Sequence, residues 1–90
     1  MDRNHDREKI VTLVKQAIEM LCEKNISDVV ILSSYKINSV LKENFGINVR
    51  VDRIGRILGS VAKRNHLKRL KTNIPKYRLH ISMVSNLEFF

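Results

Sequence analysis

The sequence predicts a mostly helical α+β fold, with three helices followed by a small β-hairpin in one domain over residues 1–90. Apolar residues recur at helical spacing in three separate segments. A later segment alternates apolar and polar residues, as a half-buried strand does. Ninety residues, 43% of them hydrophobic, are enough for one modest core.

The first predicted helix runs from about Arg7 to Asn25, with Asp6 as its N-cap. The polar residues before it, Met1 to Asp6, are expected to fray. Its apolar stripe consists of Ile10, Leu13, Val14, Ala17, Ile18 and Leu21. The apolar surface is widened by Val11, Met20 and Cys22. Either the helix is well buried within the domain, or its second side packs on another copy of the chain.

A short strand and a second helix come next. Val29 to Leu32 is rich in β-branched residues and is expected to form the strand. Ser33 and Ser34 offer N-caps to a helix over about Tyr35 to Asn44. This helix is expected to end at Gly46 in the left-handed conformation.

The third predicted helix runs from Asp52, its N-cap, to Asn65. Its apolar stripe consists of Ile54, Ile57, Leu58, Val61 and Ala62. At about 100° per residue, Arg56, Gly59, Ser60 and Lys63 fall opposite this stripe. Arg53 and Arg64 lie at one flank of it. Gly55 and Gly59 each cost about 1 kcal/mol relative to alanine inside a helix. Close approach to a negatively charged partner would offset that cost.

A β-hairpin and a short tail complete the chain. The strands His66–Lys71 and Tyr77–Ile81 flank a proline-containing turn at 72–76. The residues on the core side of the second strand are Tyr77, Leu79 and Ile81. The predicted core of the domain spans residues 7–81, and Ser82–Phe90 forms a mildly apolar tail.

Basic residues are concentrated in the second half of the chain. The net charge is +8 and the pI is about 10.1. Residues 1–49 carry seven basic and seven acidic residues, whereas residues 50–78 carry ten basic residues against Asp52 alone. The ten are Arg50, Arg53, Arg56, Lys63, Arg64, Lys68, Arg69, Lys71, Lys76 and Arg78. Such a distribution indicates a polyanionic partner, either nucleic acid or an anionic membrane.

The sequence carries no pattern typical of a catalytic, cofactor or metal site. The single cysteine, Cys22, lies beside an apolar stripe where a thiol is an inert filler, and its isolation indicates a reducing, cytoplasmic compartment. The three histidines, His5, His66 and His80, lack the spacing of zinc ligands. Phosphate-loop and dinucleotide fingerprints are absent, as is a secretory signal. We expect no enzyme activity, no cofactor and no small-molecule ligand.

The order helix, short strand, helix, turn, basic helix, basic hairpin resembles the winged helix-turn-helix superfamily over about Arg7 to Ile81. Ser34–Gly46 matches its positioning helix, Asp52–Asn65 its recognition helix and His66–Ile81 its wing. The resemblance implies duplex DNA binding, with the recognition helix in the major groove and the wing on the flanking backbone or minor groove. The connection from Phe45 to Val51 is longer than the three or four residues of a compact helix-turn-helix.

The resemblance also implies separate roles for the polar residues. Arg56 is the expected base contact, because arginine can donate two hydrogen bonds to guanine. Further base contacts are expected from Arg53, Ser60 and Lys63 on the same helix. Arg64 is expected to contact a phosphate. Phosphate contacts of the wing are expected of Lys68, Arg69, Lys71, Lys76 and Arg78. The start of the second helix suits a phosphate through its free N–H groups, beside Ser33, Ser34 and Lys36.

The leading functional hypothesis is a sequence-specific transcriptional regulator in the cytoplasm (nucleoid-associated in a prokaryote), dimerising through the Arg7–Asn25 helix and the tail. One alternative is an accessory DNA- or RNA-binding module of a replication, recombination or packaging assembly, with little base specificity. Another is a winged-helix protein-interaction module with an acidic partner. Membrane binding is disfavoured because the third helix has no Trp or Phe on its apolar side. Duplex is favoured over single strand because the one aromatic of the basic half, Tyr77, is on the core side.

Overall fold

The residues that the structure describes form three α-helices, one 3-10 helix and a three-stranded antiparallel sheet, which confirms the α+β class. The structure is a computed structural model that describes residues 3–90, with side chains described from Asp6 onward. In chain order the elements are α1 (Arg3–Lys24), β1 (Val29–Ser33), α2 (Ser34–Phe45), α3 (Val51–Arg64), β2 (Lys68–Arg69), β3 (Lys76–His80) and the 3-10 helix (Ile81–Asn86).

The α-helices and the sheet share one hydrophobic core. Most residues of the stripes that helical periodicity predicts are buried, since each helix turns its apolar side inward, and Leu13 and Leu21 of α1 are half-buried against the core. The largest completely enclosed side chains come from every layer and include Ile18, Leu32, Ile37, Leu41, Ile54, Leu58 and Leu79. Burial of one such side chain stabilises the fold by about 1.5–3 kcal/mol, so the core holds α3 firmly against α1 and α2.

α1 begins earlier than the sequence predicts. The helix is formed from Arg3, four residues before the predicted start at Arg7. Met1 and Asp2 lie outside the described residues. Asp6 lies in the first turn of α1 and is not its N-cap. A carboxylate there interacts favourably with the positive end of the helix dipole, and Asp6 therefore marks the start of α1 only to within about a turn.

The tail packs on the core of its own chain. Val84, Leu87 and Phe89 are half-buried against the core cluster. Asn65, directly after α3, holds the tail because its side chain donates to the Glu88 carbonyl at 2.7 Å and accepts the Glu88 N–H at 2.8 Å. Val11 and Cys22, which widen the apolar surface of α1, are also buried within the chain. Met20, the third residue that widens this surface, is half-buried against the same core.

β1 and α2 form where the sequence predicts them. Ser33 is the N-cap of α2, and its hydroxyl accepts the N–H of Lys36 at 3.2 Å. Ser34, the other candidate, is the first helical residue. Gly46 ends the helix in the left-handed conformation, with φ of 62°. This conformation places its N–H on the last carbonyls of α2 and confirms the predicted glycine C-cap.

The five residues 46–50 connect α2 to α3 and are tied back to α2. The Asn38 side chain accepts the Val49 N–H at 3.1 Å and donates to the Asn48 side chain at 3.3 Å. Val49 also packs against the core. These contacts hold the long connection in one conformation, and with it the orientation of α3 relative to α2.

α3 begins at Val51, one residue before the predicted start. Its N-cap is Arg50, which makes no side-chain capping hydrogen bond. Asp52 therefore lies inside the first turn, and the prediction that it caps α3 is wrong. Its carboxylate accepts hydrogen bonds from the Arg50 guanidinium at 3.1 and 3.2 Å. Asp52 still stabilises the start of α3, because its negative charge lies near the positive end of the helix dipole.

β1 joins the predicted hairpin and makes a sheet of strand order β1-β3-β2. β1 pairs with β3 along five residues, from Val29 opposite His80 to Ser33 opposite Lys76. The β2–β3 hairpin is shorter than predicted, because β2 contains only Lys68–Arg69.

The ends of the predicted hairpin strands belong to neighbouring turns. His66 has a positive φ of 56°, and the Leu67 N–H donates to the Ala62 carbonyl at 2.9 Å. Both residues therefore complete the turn that ends α3. Ile81, at the other end, starts the 3-10 helix. On β3, Leu79 is buried and Tyr77 is half-buried, in agreement with the predicted alternation.

Candidate nucleic-acid interface

The polar side of α3 lies at the surface because the opposite side is buried in the core. Its four basic side chains are exposed and Ser60 is half-buried; the basic residues are Arg53, Arg56, Lys63 and Arg64. Over about three turns, α3 thus presents a basic ridge of the width that fits a DNA major groove.

The hairpin is the second basic element. Lys68, Arg69, Lys71 and Arg78 are exposed, and Lys76 is half-buried. The register places Lys68 directly opposite Arg78 across the β2–β3 pair. Like charges at such positions destabilise a sheet. An anion bound beside the hairpin would relieve this repulsion.

A groove of about 420 Å³ brings the start of α2, the side of α3 and the hairpin together. Its lining includes Ser34, Tyr35, Gly55, Arg56, Pro75 and Tyr77. The pairing of β1 with β3 explains this meeting, since Ser33 at the end of β1 lies opposite Lys76 at the start of β3. Two predicted site residues, Ser34 and Arg56, therefore face the same groove.

A second groove, of about 350 Å³, adds an arginine that sequence analysis missed. Arg7 of α1 lines it together with Arg53 and Arg56 of α3, and Asp6 and Ile57 complete the lining. Three arginines and one carboxylate, that of Asp6, line this groove, and the excess of positive charge suits a phosphate, which arginine binds in a bidentate manner. No local signal marks Arg7, because it belongs to the electrically neutral half and joins the others only through tertiary packing.

Two predicted site residues line neither of these grooves. Arg64 lines a third groove with residues of α1 and the tail, namely Arg7, Glu8, Val11, Phe89 and Phe90. Arg7 lines this groove and the second one, so it connects Arg64 to Arg53 and Arg56. Lys36 reaches back toward β1, where its ammonium lies 3.5 Å from the Ile31 carbonyl.

The outer edge of β1 is covered by polar side chains. Asn25 and Ser27 donate to the Val29 carbonyl at 2.9 and 2.8 Å. Lys36 covers the next outward carbonyl, that of Ile31. These contacts hinder the addition of a strand from another chain at this edge.

Neither glycine of α3 is required by packing within the chain. A Cβ atom on Gly55 would lie 3.9 Å from the Ser34 Cβ, and one on Gly59 would lie 3.6 Å from the Tyr77 hydroxyl oxygen. Both distances are ordinary van der Waals contacts. α3 therefore carries a propensity cost of about 1 kcal/mol at each position without a packing gain inside the folded chain.

The basic surface has almost no acidic partners among residues 6–90. The ion pair found there joins Arg50 to Asp52 at 3.1 Å, and both side chains are largely exposed. The other nine basic residues of 50–78 make no salt bridge to a described carboxylate. Their mutual repulsion is a cost to the isolated fold that a polyanionic partner would remove.

Two tyrosines line the first groove. Tyr35 is 55% exposed and reaches the groove from the start of α2. Tyr77 is half-buried, with its hydroxyl directed toward Gly59. The sequence suggests one aromatic in the basic region, whereas the β1–β3 register adds Tyr35 from the neutral half of the chain.

The remaining reactive side chains lie outside this surface. Cys22 is buried, and its burial, followed by the nearby Glu19 carboxylate, raises the pKa of the thiol. A raised pKa leaves little thiolate at neutral pH and makes the sulfur a poor nucleophile. The described residues contain no group of three or more His, Cys, Asp or Glu that could hold a metal ion. The side chain of His5 lies outside the described residues.

Comparison of the chain with protein-family models, with curated proteins and with solved structures found no significant match. Within residues 3–90, no helix has both the length and the apolar character needed to cross a bilayer. A functional assignment therefore depends on the geometry and charge of the chain itself.

Proposed function

We propose that the protein binds double-stranded DNA as a winged helix-turn-helix domain. α3 (predicted as 52–65) enters the major groove, and the predicted hairpin segment 66–81 acts as the wing. The observation that carries the proposal is the shared surface, on which the start of α2, the side of α3 that carries Arg56 and the β2–β3 hairpin border one groove. Its lining contains one basic residue, Arg56, and one carboxylate, Asp52, and the other cations of 50–78 lie outside it. The ten basic residues of 50–78 supply the charge that a phosphate backbone attracts.

Base reading is assigned to the exposed side of α3. Arg56 lies between the two grooves and lines both of them, so its guanidinium is central on the surface. It is therefore the residue placed to donate two hydrogen bonds to the O6 and N7 atoms of guanine. Ser60 and Lys63 follow it along the helix and extend the contact by about two turns.

The residues assigned to phosphate binding lie around Arg56. Arg7 and Arg53 border the groove on the α1 side of Arg56 and hold one strand. Lys68 and Arg78, which repel each other across the hairpin, hold the backbone on the wing side. The first turn of α2 offers backbone N–H groups to a further phosphate. Contacts of this kind set affinity and register without reading the sequence.

Within this proposal, the leading candidate is a sequence-specific transcriptional regulator. The second candidate, an accessory module of a replication or recombination assembly, is favoured by one observation: exposed cations outside α3 outnumber those placed for base reading. Selection of bound duplexes from a random pool separates the two. An enriched motif supports the regulator, and the absence of enrichment supports the accessory module.

The proposal is tested by the salt dependence of duplex affinity. Each phosphate that the protein neutralises contributes a slope of about −0.9 in log affinity against log salt concentration. If five of the nine unpaired cations contact phosphate, the slope is about −4.5. A slope near zero, or no binding to duplex at low salt, would overturn the DNA-binding proposal and would favour a winged-helix module that binds an acidic protein.

A further inference from the structure

One apolar side chain is exposed in the middle of the basic region. Six large hydrophobic side chains are exposed among those that the structure describes: Ile26, Tyr35, Phe45, Ile74, Met83 and Phe90. Ile74 is the one member of this set within residues 50–78, and it is 44% exposed. It lies in the loop between β2 and β3, where residues 71–75 are all exposed. The exposed loop of the basic hairpin therefore carries one large apolar side chain among polar ones.

The loop that carries Ile74 is held in one conformation by its own hydrogen bonds. The Leu70 N–H donates to the Lys76 carbonyl at 2.9 Å and closes the base of the loop. The Thr72 N–H donates to the Leu70 carbonyl at 3.0 Å, and the Thr72 hydroxyl donates to the Ile74 carbonyl.

Pro75 restricts the loop further. Its ring fixes its own φ, and it biases the preceding residue, Ile74, toward extended backbone. A side chain presented on such a preorganised loop loses little conformational freedom when it binds.

The residues around Ile74 suit the minor groove of DNA. Lys71 and Lys76 lie on either side of it in the chain, so a positive charge is available for the phosphates on both sides of the tip. Asn73 is exposed beside it and can donate hydrogen bonds to the acceptors that A·T pairs present in the minor groove.

We propose that the hairpin tip inserts Ile74, backed by Pro75, between two base pairs from the minor groove and bends the DNA. The inference rests on the proposed duplex binding. An apolar side chain that enters a base step partly unstacks it and kinks the duplex by about 20–90° toward the major groove. Insertion favours pyrimidine–purine steps, which are the easiest to unstack. The protein then shapes DNA as well as binding it.

The test is energy transfer between dyes at the two ends of a duplex of about 30 base pairs that carries TA steps. The full-length protein, Ile74→Ser and Ile26→Ser are compared at the same fractional saturation. Ile26→Ser is the matched control, because it makes the same change at an exposed isoleucine outside the basic region. The bound wild type and Ile26→Ser are expected to bring the ends closer together. Ile74→Ser is expected to bind with an unchanged salt slope and an affinity within about ten-fold, but with end-to-end transfer close to that of free DNA.

The outcomes separate this inference from the proposed function. Binding by the wild type without a change in transfer, or undiminished bending by Ile74→Ser, overturns the wedge and leaves duplex binding intact. Failure of the wild type to bind duplex at low salt overturns both. Ile74→Phe, a larger wedge, is expected to restore the bend, and its failure to do so also counts against insertion.

Discussion

Replacement of Gly55 by alanine is expected to raise the stability of the fold and to lower the affinity for DNA. The new Cβ would lie 3.9 Å from the Ser34 Cβ and 4.0 Å from the Ser34 hydroxyl oxygen, and neither contact is a clash. Removal of a glycine from a helix interior gains about 0.8–1.0 kcal/mol. The free energy of unfolding is therefore expected to rise by about 1 kcal/mol, which raises the Tm of a domain of this size by about 4–8 °C.

The same substitution is expected to weaken DNA binding. Gly55 lines the groove between the start of α2 and the side of α3, where the proposed DNA strand approaches. If the close approach of DNA to the helix backbone at Gly55 offsets the helix-propensity cost of the glycine, that approach contributes at least about 1 kcal/mol to the free energy of binding. The affinity of Gly55→Ala for duplex is thus expected to fall about five-fold or more.

Calorimetry and fluorescence anisotropy, measured on the same samples, check this pair of effects. Gly46→Ala is the matched control, because Gly46 has a φ of 62° and has no atom near its added Cβ. Its Tm should fall, since alanine in the left-handed region costs about 1–2 kcal/mol, while the affinity of the folded protein stays unchanged. A lower Tm for Gly55→Ala would refute the packing argument. A higher Tm with unchanged affinity would refute a role for Gly55 in binding.

Three further predictions concern the interface and the assembly. Arg56→Ala is expected to cost about 1–3 kcal/mol on a preferred duplex and to relax the preference there, whereas Lys71→Ala weakens binding to all sequences alike; equal behaviour in a competition assay would contradict the division between base and phosphate contacts. Arg7→Ala is expected to reduce the salt slope by about 0.9, and an unchanged slope would remove Arg7 from the interface. The chain is expected to form a homodimer through the Arg7–Asn25 helix and the tail. Light scattering that shows only monomer at high concentration, with and without duplex, would exclude this homodimer.

Local sequence patterns predicted most of the helical structure. The apolar stripes placed α2 and α3 to within one or two residues, and Ser33 and Gly46 are the caps that their chemistry indicates. The two errors, Asp6 and Asp52, share one cause. An acidic residue stabilises a helix start both as an N-cap and within the first turn, so its position alone cannot distinguish the two.

The structure agrees with the predicted position of some interface side chains and not of others, because the direction of a side chain depends on packing. Periodicity placed Arg56 on the exposed side of α3, and the structure agrees. It could not reveal that Lys36 reaches back to the Ile31 carbonyl or that Arg64 faces the tail. The surroundings of Arg64 depend on α1 and the tail, which lie far from it in the chain. The position of Lys36 depends on the bend between β1 and α2, which brings it back to Ile31, five residues earlier.

The sequence by itself determined where the three α-helices and the strands β1 and β3 lie, to within about a turn or a residue or two, and it determined the separation into a neutral and a basic half. Both properties depend on residues within a few positions of one another. Only the tertiary structure decided that β1 pairs with β3, that Tyr35 and Pro75 line one groove and that Arg7 and Arg53 line another. These contacts join segments that are distant in the chain, and they form because the segments bury their apolar sides in one common core.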